Sequence, residues 1–196
     1  MPALRISSIV HGRCFTGTRV SYLVDPHGAG IARAGPETLI LKRWRKRKRE
    51  GYTFAGGRLG PNTWRGVDLV FASDAGAACA LDVNGIEARL GPMRDRLRSH
   101  HYGLPAAATL HALFAILGPH RLRKLVERHL DPSRAERYGT PDLFLFAVDQ
   151  ESGDYHSAHF VEVKKPREHV SKDQREEMAF MVSLGLNARV LRLIER

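Results

Sequence analysis

Two carboxylates and a lysine in the last third of the sequence have the spacing of a shared chemical site. Glu162 and Lys164 are two residues apart in FVEVKKP, whose apolar residues predict a β-strand. Side chains at i and i+2 of a strand project from the same face, so this carboxylate and this ammonium should lie side by side. Asp142 comes just before the preceding predicted strand, where a turn can direct its carboxylate to the neighbouring strand end.

Carboxylates that converge in this way favour a hard divalent cation such as Mg²⁺, which keeps several waters and takes one or two protein carboxylates together with a phosphate. Such a cation stabilises charge at a scissile phosphorus and acidifies a bound water, while Lys164 would orient that water or neutralise the transition state. These are the parts of a phosphodiester hydrolase. Each part alone has an ordinary explanation, since Pro-Asp turns are common and an E-x-K strand usually presents a solvent-exposed ion pair.

The elements that must position these residues follow from the hydrophobic pattern. Residues 143–148 and 158–163 predict two strands joined by the turn ESGD. Ser171 begins a predicted helix that Gly185 ends, and residues 188–194 predict a final strand. We therefore expect an α/β fold, in which these three strands form a small mixed sheet flanked by helices.

The part of the chain before these strands predicts weaker or helical elements. Residues 1–35 suggest a small hairpin or an irregular arm, residues 52–66 a turn-rich stretch, and residues 67–73 a strand or short buried segment. Two later helices are expected to start near Pro105 and Pro119, because each is followed by an apolar stripe of helical period.

The whole chain, residues 1–196, is predicted to be a single domain. Residues 1–57 would form an N-terminal arm and a basic helix, residues 86–138 a helical insertion, and residues 139–196 the catalytic core. A chain of this length can bury one core with a sizeable insertion.

The basic helix is predicted over residues 37–50, because Pro36 suits a first helical turn and Gly51 would end the helix. Its basic residues are Lys42, Arg43, Arg45, Lys46, Arg47, Lys48 and Arg49. Beside a phosphodiesterase site they favour contact with DNA phosphates, which gives affinity that is independent of sequence and falls with salt. The alternatives are a solvated helix face and a targeting signal of the nuclear-localisation type.

Composition limits the partners and the location of the protein. The net charge of +10 and the pI of about 10.1 favour a polyanion, either nucleic acid or an anionic membrane surface. No apolar run is long enough to span a bilayer and no cleaved signal peptide is evident, so we expect a cytoplasmic protein. The spacing of the two cysteines and the ten histidines matches neither a disulfide framework nor a zinc motif.

The spacing of these residues resembles a known nuclease signature. The dipeptide PD followed by 19 residues and then EVK is similar to the PD-(D/E)xK motif, and residues 139–195 closely resemble the VRR-Nuc branch of that superfamily. In that branch a Ser and, three residues later, a Gln open the helix after the E-x-K strand, as Ser171 and Gln174 do here. Upstream segments, such as HALFAILGPHRLRKLVERHL, resemble the C-terminal nuclease domain of the Fanconi-associated nuclease family.

The resemblance implies a restriction-endonuclease-like core that binds Mg²⁺ or Mn²⁺. Asp142, Glu162 and the carbonyl of Val163 would ligate the metal, and Lys164 would be the catalytic lysine. Gln174 would be a motif residue near the site, although Ser171 and Gln174 also have the spacing of a helix capping box.

One departure from the family concerns an upstream glutamate that its members use as a further metal ligand. The corresponding loop, FAGGRLG, contains no Glu. On shorter VRR-Nuc proteins this residue lies on an N-terminal helix, where Glu37 is the nearest candidate and Glu50 the next.

Three functions remain open at this point. The resemblance implies a structure-specific DNA nuclease of repair or recombination, with DNA and no membrane as its partner. The VRR-Nuc-like sequence is also similar to antibacterial DNase effector toxins, which are neutralised by an immunity protein. Such toxins are delivered into target cells by a secretion system that needs no cleaved signal peptide. A DNA-binding module with a degenerate nuclease core is the alternative, because the loop glutamate is missing.

Overall fold

The computed structural model describes residues 5–11, 14–15, 21–23, 33–71, 74–134 and 139–195. The chain divides into two compact units, one formed by Met1–Gly56 with Pro141–Arg196 and the other by Gly57–Thr140. The assignment of all residues to one domain with an insertion at 86–138 stays a prediction.

Strands and helices alternate irregularly along the chain. The strands are β1 (Arg5–His11), β2 (Cys14–Phe15), β3 (Ser21–Leu23), β4 (Arg33–Ala34), β5 (Tyr52–Arg58), β6 (Leu143–Asp149), β7 (Tyr155–Lys164) and β8 (Ala188–Glu195). The helices are α1 (Pro36–Arg45), α2 (Thr63–Phe71), α3 (Ala75–Ala80), α4 (Val83–Leu90), α5 (Arg94–Ser99), α6 (Ala107–Leu130) and α7 (Lys172–Ser183), with 3-10 turns at Gly91–Met93 and Pro132–Arg134.

A mixed sheet with the order β1-β8-β7-β6-β5 forms the framework of the first unit. The strands β6 and β7 pair as an antiparallel hairpin, while β8 runs parallel to both β7 and β1. This confirms the expected α/β class and the three predicted C-terminal strands. A second small sheet, β2-β3-β4, falls within the predicted N-terminal arm; most of that arm, including residues 16–20 and 24–32, lies outside the described residues.

The helix α1 covers one face of this sheet. Its buried residues pack in one core with apolar side chains of β6, β7 and β8, and these residues are Leu39, Ile40, Leu41, Trp44, Leu143, Leu145, Val161, Val163, Leu191 and Leu193. The indole N–H of Trp44 donates a hydrogen bond of 3.0 Å to the carbonyl of Phe146. This bond fixes α1 on the strand that follows Asp142.

The helix α7 lies against the other face, where its Gln174 contacts Glu162 of β7. Val161 and Val163 belong to the core beneath α1, so Glu162 and Lys164 point to the opposite face. Ser171 caps α7 as predicted, and Gly185 follows the helix with a φ of 75°, a left-handed conformation that suits glycine.

The second unit is helical, with α2, α3 and α4 packed against α6. The helix α6 is interrupted at Gly118, where φ is 64° and ψ is 169°, and it resumes at Pro119. The prediction of two successive helices is therefore confirmed. In the part of the chain that the structure describes, no helix has the length and apolar character of a membrane span.

The predicted end of the basic helix is wrong by several residues. The helix α1 stops at Arg45, so Lys46, Arg47, Lys48 and Arg49 lie in the connection to β5. Gly51, at a φ of 75°, belongs to a turn in which the N–H of Tyr52 donates to the carbonyl of Arg49. The chain must reverse early to place β5 in the sheet, which local helix signals do not reveal.

Two further elements differ from the prediction. Residues 52–58 form an edge strand of the sheet instead of turns, and Gly56 is required there because a Cβ would lie 2.5 Å from the carbonyl oxygen of Phe144. Residues 67–71 are largely buried, as one of the two alternatives for this segment predicted, but they belong to α2 and not to a strand, with Trp64, Val67 and Phe71 buried at helical spacing. A short apolar run does not distinguish a strand from a buried helix.

His159 on β7 makes a contribution to the stability of the first unit that depends on pH. Its ring contacts Trp44 edge-on, with 5.6 Å between the ring centroids. Burial, with the charges of Arg189 and Arg47, lowers the pKa of His159 to about 4, while a hydrogen bond with Asn187 opposes the shift. The unfolded chain therefore takes up a proton near pH 6.5 that the folded protein does not take up until about pH 4.

We expect His159 to contribute a stabilisation that is fully present above pH 6.5 and is lost as the pH drops from 6.5 toward 4. The raised pKa values of Asp142 and Glu162 act in the opposite direction over this range, so the His159 contribution is measured as a difference between wild type and a variant. His159→Gln should lower the slope of the free energy of unfolding against pH, because no proton is then bound preferentially by the unfolded chain at this position. Urea unfolding at a series of pH values measures it, with His120→Gln, at an exposed histidine of α6, as the control. Equal slopes in wild type and His159→Gln would contradict the assignment.

Candidate active site

Asp142 occupies the end of the sheet where the predicted site residues meet. It directly precedes β6, and its Oδ2 accepts a hydrogen bond of 2.7 Å from the backbone N–H of Val163 on β7. The Pro-Asp turn therefore directs this carboxylate at the neighbouring strand, as the sequence predicts.

Glu162 and Lys164 lie side by side on the face of β7 that is covered by α7. The Lys164 Nζ is 2.9 Å from Glu162 Oε1. Lys164 is only 4% exposed and Glu162 only 2%. This confirms that the two side chains share a face. Because an ion pair this deeply buried loses its hydration, its charges must be met by further polar contacts.

Gln174 supplies one of these contacts while it also caps α7. Its Oε1 accepts from the N–H of Ser171 at 3.0 Å, and its own N–H donates to Ser171 Oγ at 3.2 Å. With the amide oxygen occupied in this way, the amide nitrogen faces Glu162 and donates to Oε1 at 2.5 Å. The capping role and the contact with the site are therefore present together.

Glu168, in the loop between β7 and α7, is a residue that the sequence motifs did not identify. Its Oε1 is 3.7 Å from Lys164 Nζ, and its Oε2 accepts from the N–H of Lys165 at 3.0 Å. Arg192 donates to the Glu168 carbonyl at 2.7 Å, which fixes the loop against β8. The only sequence signal was an acidic residue four positions after Lys164, and in a loop that spacing predicts no contact.

The carboxylates of the site destabilise one another. Burial raises the pKa of Asp142 to about 6, with smaller upward contributions from the charges of Glu37 and Glu168, while the Val163 N–H and Lys164 oppose the shift. Burial and then the charge of Asp142 raise the pKa of Glu162 to about 7, against the effect of Lys164. A cation placed between these two carboxylates would relieve that repulsion.

The donor set fits a hard divalent cation. The contacts described above use Oδ2 of Asp142 and Oε1 of Glu162, so the second oxygen of each carboxylate is the candidate ligand. Within the described ranges, no three His, Cys, Asp or Glu side chains form a cage that would hold a metal by themselves. Mg²⁺ commonly binds through one or two carboxylates, with water and phosphate completing its coordination. The ligand role of the Val163 carbonyl stays a prediction.

Glu37 lies in the first turn of α1, where its charge raises the pKa of Asp142. It is therefore within electrostatic range of the site, as a further acidic ligand would have to be. Its direct ligation of a metal stays a prediction. Glu50, the next candidate, is exposed in the turn between α1 and β5.

The basic residues divide into two groups. Arg45 donates to the carbonyl of Gly56 at 2.7 Å, Arg47 lies over the Trp44 ring at 4.9 Å, and Arg49 lies over the Tyr52 ring at 4.4 Å. These three arginines therefore also stabilise the connection between α1 and β5. The side chains of the remaining basic residues make no ion pair or hydrogen bond in the part of the chain that the structure describes, and these residues are Lys42, Arg43, Lys46 and Lys48.

Comparison with known proteins gives the family. The model of the VRR-NUC domain matches residues 91–193, which is more than half of the chain. The chain belongs to the VRR-NUC domain family. Asp142, Glu162, Lys164 and Gln174 all fall inside the matched range, whereas Glu37 and the basic residues precede it.

The fold of this VRR-NUC protein is similar to that of larger solved proteins. Crystal structures of paFAN1 bound to 5′-flap DNA with a gap, one with a 2-nucleotide flap and one with a 1-nucleotide flap, each match with a TM-score of 0.53 and 18% identity. Each match covers 100% of this chain and 38% of paFAN1, so the chain spans well under half the length of that protein. A search of curated protein sequences found no match.

A double-mutant cycle tests the contact between Gln174 and Glu162. Gln174→Glu preserves the capping box, since Glu is equally suited to this position, but it places a second carboxylate against Glu162. At pH 8 we expect a loss of about 1–2 kcal/mol in the free energy of unfolding, because a hydrogen bond to a charged group becomes a repulsion. In the Glu162→Gln background the same change should cost much less.

Urea denaturation of the four proteins measures the coupling. Ser171→Ala serves as the capping control, with an expected loss of about 1 kcal/mol in both backgrounds. Additive effects of Gln174→Glu and Glu162→Gln would contradict the contact.

Proposed function

We propose that this protein is a metal-dependent nuclease that hydrolyses phosphodiester bonds of DNA. The observation that carries the proposal is the buried pair of Glu162 and Lys164, 2.9 Å apart, at the sheet end where Asp142 is held by the Val163 N–H. Membership of the VRR-NUC family supports it. A buried lysine and carboxylate beside the half-buried Asp142 cost stability, and that cost is understandable if they perform chemistry.

Each residue has a distinct task in this proposal. Asp142 and Glu162, with the Val163 carbonyl and Glu37 as further candidates, would hold Mg²⁺ or Mn²⁺. When bound, the ion would polarise the scissile phosphate and acidify a water. Lys164 orients the attacking water or offsets negative charge that develops at the phosphate, and Gln174 fixes the Glu162 carboxylate from the side of α7.

DNA is the proposed substrate because of charge and structural likeness. The chain has a net charge of +10. The solved proteins of similar fold are bound to flap DNA. The side chains of Lys42, Arg43, Lys46 and Lys48 make no ion pair or hydrogen bond to other described residues, so they are the proposed phosphate contacts.

Among the biological settings, the flap-bound neighbours favour a structure-specific enzyme of DNA repair or recombination. The setting of an antibacterial effector toxin with an immunity protein stays a prediction. Expression in a bacterium distinguishes the two settings: a toxin causes DNA damage and death unless a partner protein is present, and a repair enzyme does not.

Cleavage assays test the proposed activity directly. With Mg²⁺ or Mn²⁺ we expect wild type to cut DNA, and EDTA should abolish cutting. Glu162→Gln and Lys164→Met should each lower the rate by on the order of 10²-fold or more, because each removes a group that acts on the transition state. Supercoiled plasmid and labelled duplex, flap and four-way-junction DNA are the substrates, and Glu151→Gln, in the β6–β7 turn, is the exposed control.

A result in which wild type binds all these DNAs and cuts none, with either metal, would contradict the nuclease proposal. It would support the DNA-binding module with a degenerate core. Equal rates for wild type and Glu162→Gln would instead indicate that a contaminating enzyme or another site does the cutting.

The two groups of basic residues should respond differently to substitution. In the Glu162→Gln protein, Lys46→Ala should weaken DNA binding and reduce the slope of log affinity against log salt by about 0.9, the value for one phosphate contact. Arg45→Ala should mainly lower the melting temperature, because it removes a bond to the Gly56 carbonyl. Fluorescence anisotropy between about 50 and 200 mM salt measures the slopes. An unchanged slope for Lys46→Ala would exclude Lys46 as a phosphate contact.

A further inference from the structure

A cavity of about 380 Å³ lies in the first unit, on the face of the sheet covered by α1. Its floor is apolar and is formed by Ile40 of α1, Leu145 of β6, Val161 of β7 and Leu191 of β8. Small-molecule sites begin at about 300 Å³. The cavity is therefore large enough for one small ligand that has an apolar part.

Three arginines surround this floor. Arg43 lies in the last turn of α1, Arg47 in the connection that follows the helix, and Arg189 on β8. The charges of Arg189 and Arg47 help to lower the pKa of the neighbouring His159, which shows that the potential here is positive. None of the described residues that line the cavity is acidic.

The Arg47 guanidinium is already oriented. It lies over the rings of Trp44 and Phe54, at 4.9 Å and 5.7 Å from the centroids. Stacking on aromatic rings fixes the plane of a guanidinium while its N–H groups stay available to an oxygen ligand. A guanidinium plane is also a surface on which nucleobases stack.

The cavity is distinct from the candidate active site. Val161 lines the cavity, whereas Glu162, the next residue, points to the opposite face of β7 toward Gln174. A ligand in the cavity would therefore not occupy the position of a phosphate that is being cut.

We propose that this cavity binds one nucleotide of the nucleic-acid substrate, with its base on the apolar floor and its phosphate among Arg43, Arg47 and Arg189. The choice of a nucleotide rests on the proposed function. The combination of an apolar floor and three guanidiniums favours a ligand that carries both a ring and a phosphate. Free phosphate would not contact the floor, and a base without a phosphate would not engage the charges. Contact with a nucleotide away from the cut would hold the strand in register.

Titration with thymidine 5′-monophosphate tests the site. Isothermal titration calorimetry of the full chain in EDTA at low salt should show binding, while thymidine and inorganic phosphate should each bind at least about tenfold more weakly. Arg189→Ala and Arg43→Ala should each weaken binding of the nucleotide by about tenfold, equivalent to about 1.4 kcal/mol. Arg98→Ala, at an exposed arginine of α5, is the matched control and should bind as wild type.

Several outcomes would overturn the proposal. Equal binding of inorganic phosphate and the nucleotide, or displacement of the nucleotide by a glutamate-rich peptide, would show a general anion patch. Unchanged affinity in both Arg189→Ala and Arg43→Ala, with melting temperatures like that of wild type, would place the nucleotide elsewhere. If Arg189→Ala does not fold, nucleotide binding is measured with Arg189→Lys, which keeps the charge.

Cleavage kinetics separate this inference from the proposed function. If both are correct, Arg189→Ala should raise KM for DNA about tenfold and leave kcat within about twofold, because the cavity binds the strand without touching the cut. Cutting by wild type without nucleotide binding in the cavity would overturn the inference alone. Nucleotide binding in a protein that cuts no DNA would overturn the proposed function alone.

Discussion

Burial of the Glu162 carboxylate is the constraint on which the site depends. A carboxylate that is 2% exposed needs donors to offset its lost hydration. Lys164 supplies one from the same strand and Gln174 another from α7. Gln174 presents its amide nitrogen only because Ser171 holds its amide oxygen. The cap of a helix thus fixes the geometry of a charged pair on a strand, so the site is complete only when α7 is packed on the sheet.

The alternation of side chains along β7 separates two functions of one strand. Val161 and Val163 pack beneath α1 and stabilise the sheet, while Glu162 and Lys164 face α7. The apolar face can therefore be optimised for packing without a loss of chemistry on the polar face. The raised pKa values of Asp142 and Glu162 show the electrostatic cost of the polar face, and a bound cation would offset that cost.

Predictions from the sequence succeeded where the deciding interactions were local. The hairpin β6–β7, the cap at Ser171 and the new helix that starts at Pro119 follow from turn, capping and proline preferences over a few residues. The predictions failed where contacts between segments far apart in the chain determine the local structure. The glycines of β5 suggested a turn, yet Gly56 is needed because the strand approaches the carbonyl of Phe144, almost 90 residues later in the chain.

The sequence by itself determined which residues could form a metal-binding nuclease site, since the spacing of Asp142, Glu162 and Lys164 and strand periodicity are local properties. Only the tertiary structure decided that Glu168 contacts Lys164, that Glu37 is close enough to affect Asp142, and that arginines of α1 and β8 line one cavity. Those contacts join a loop, a helix and strands far apart in the chain. Their distances are set by how α1 and α7 pack on the two faces of the sheet, which no local pattern specifies.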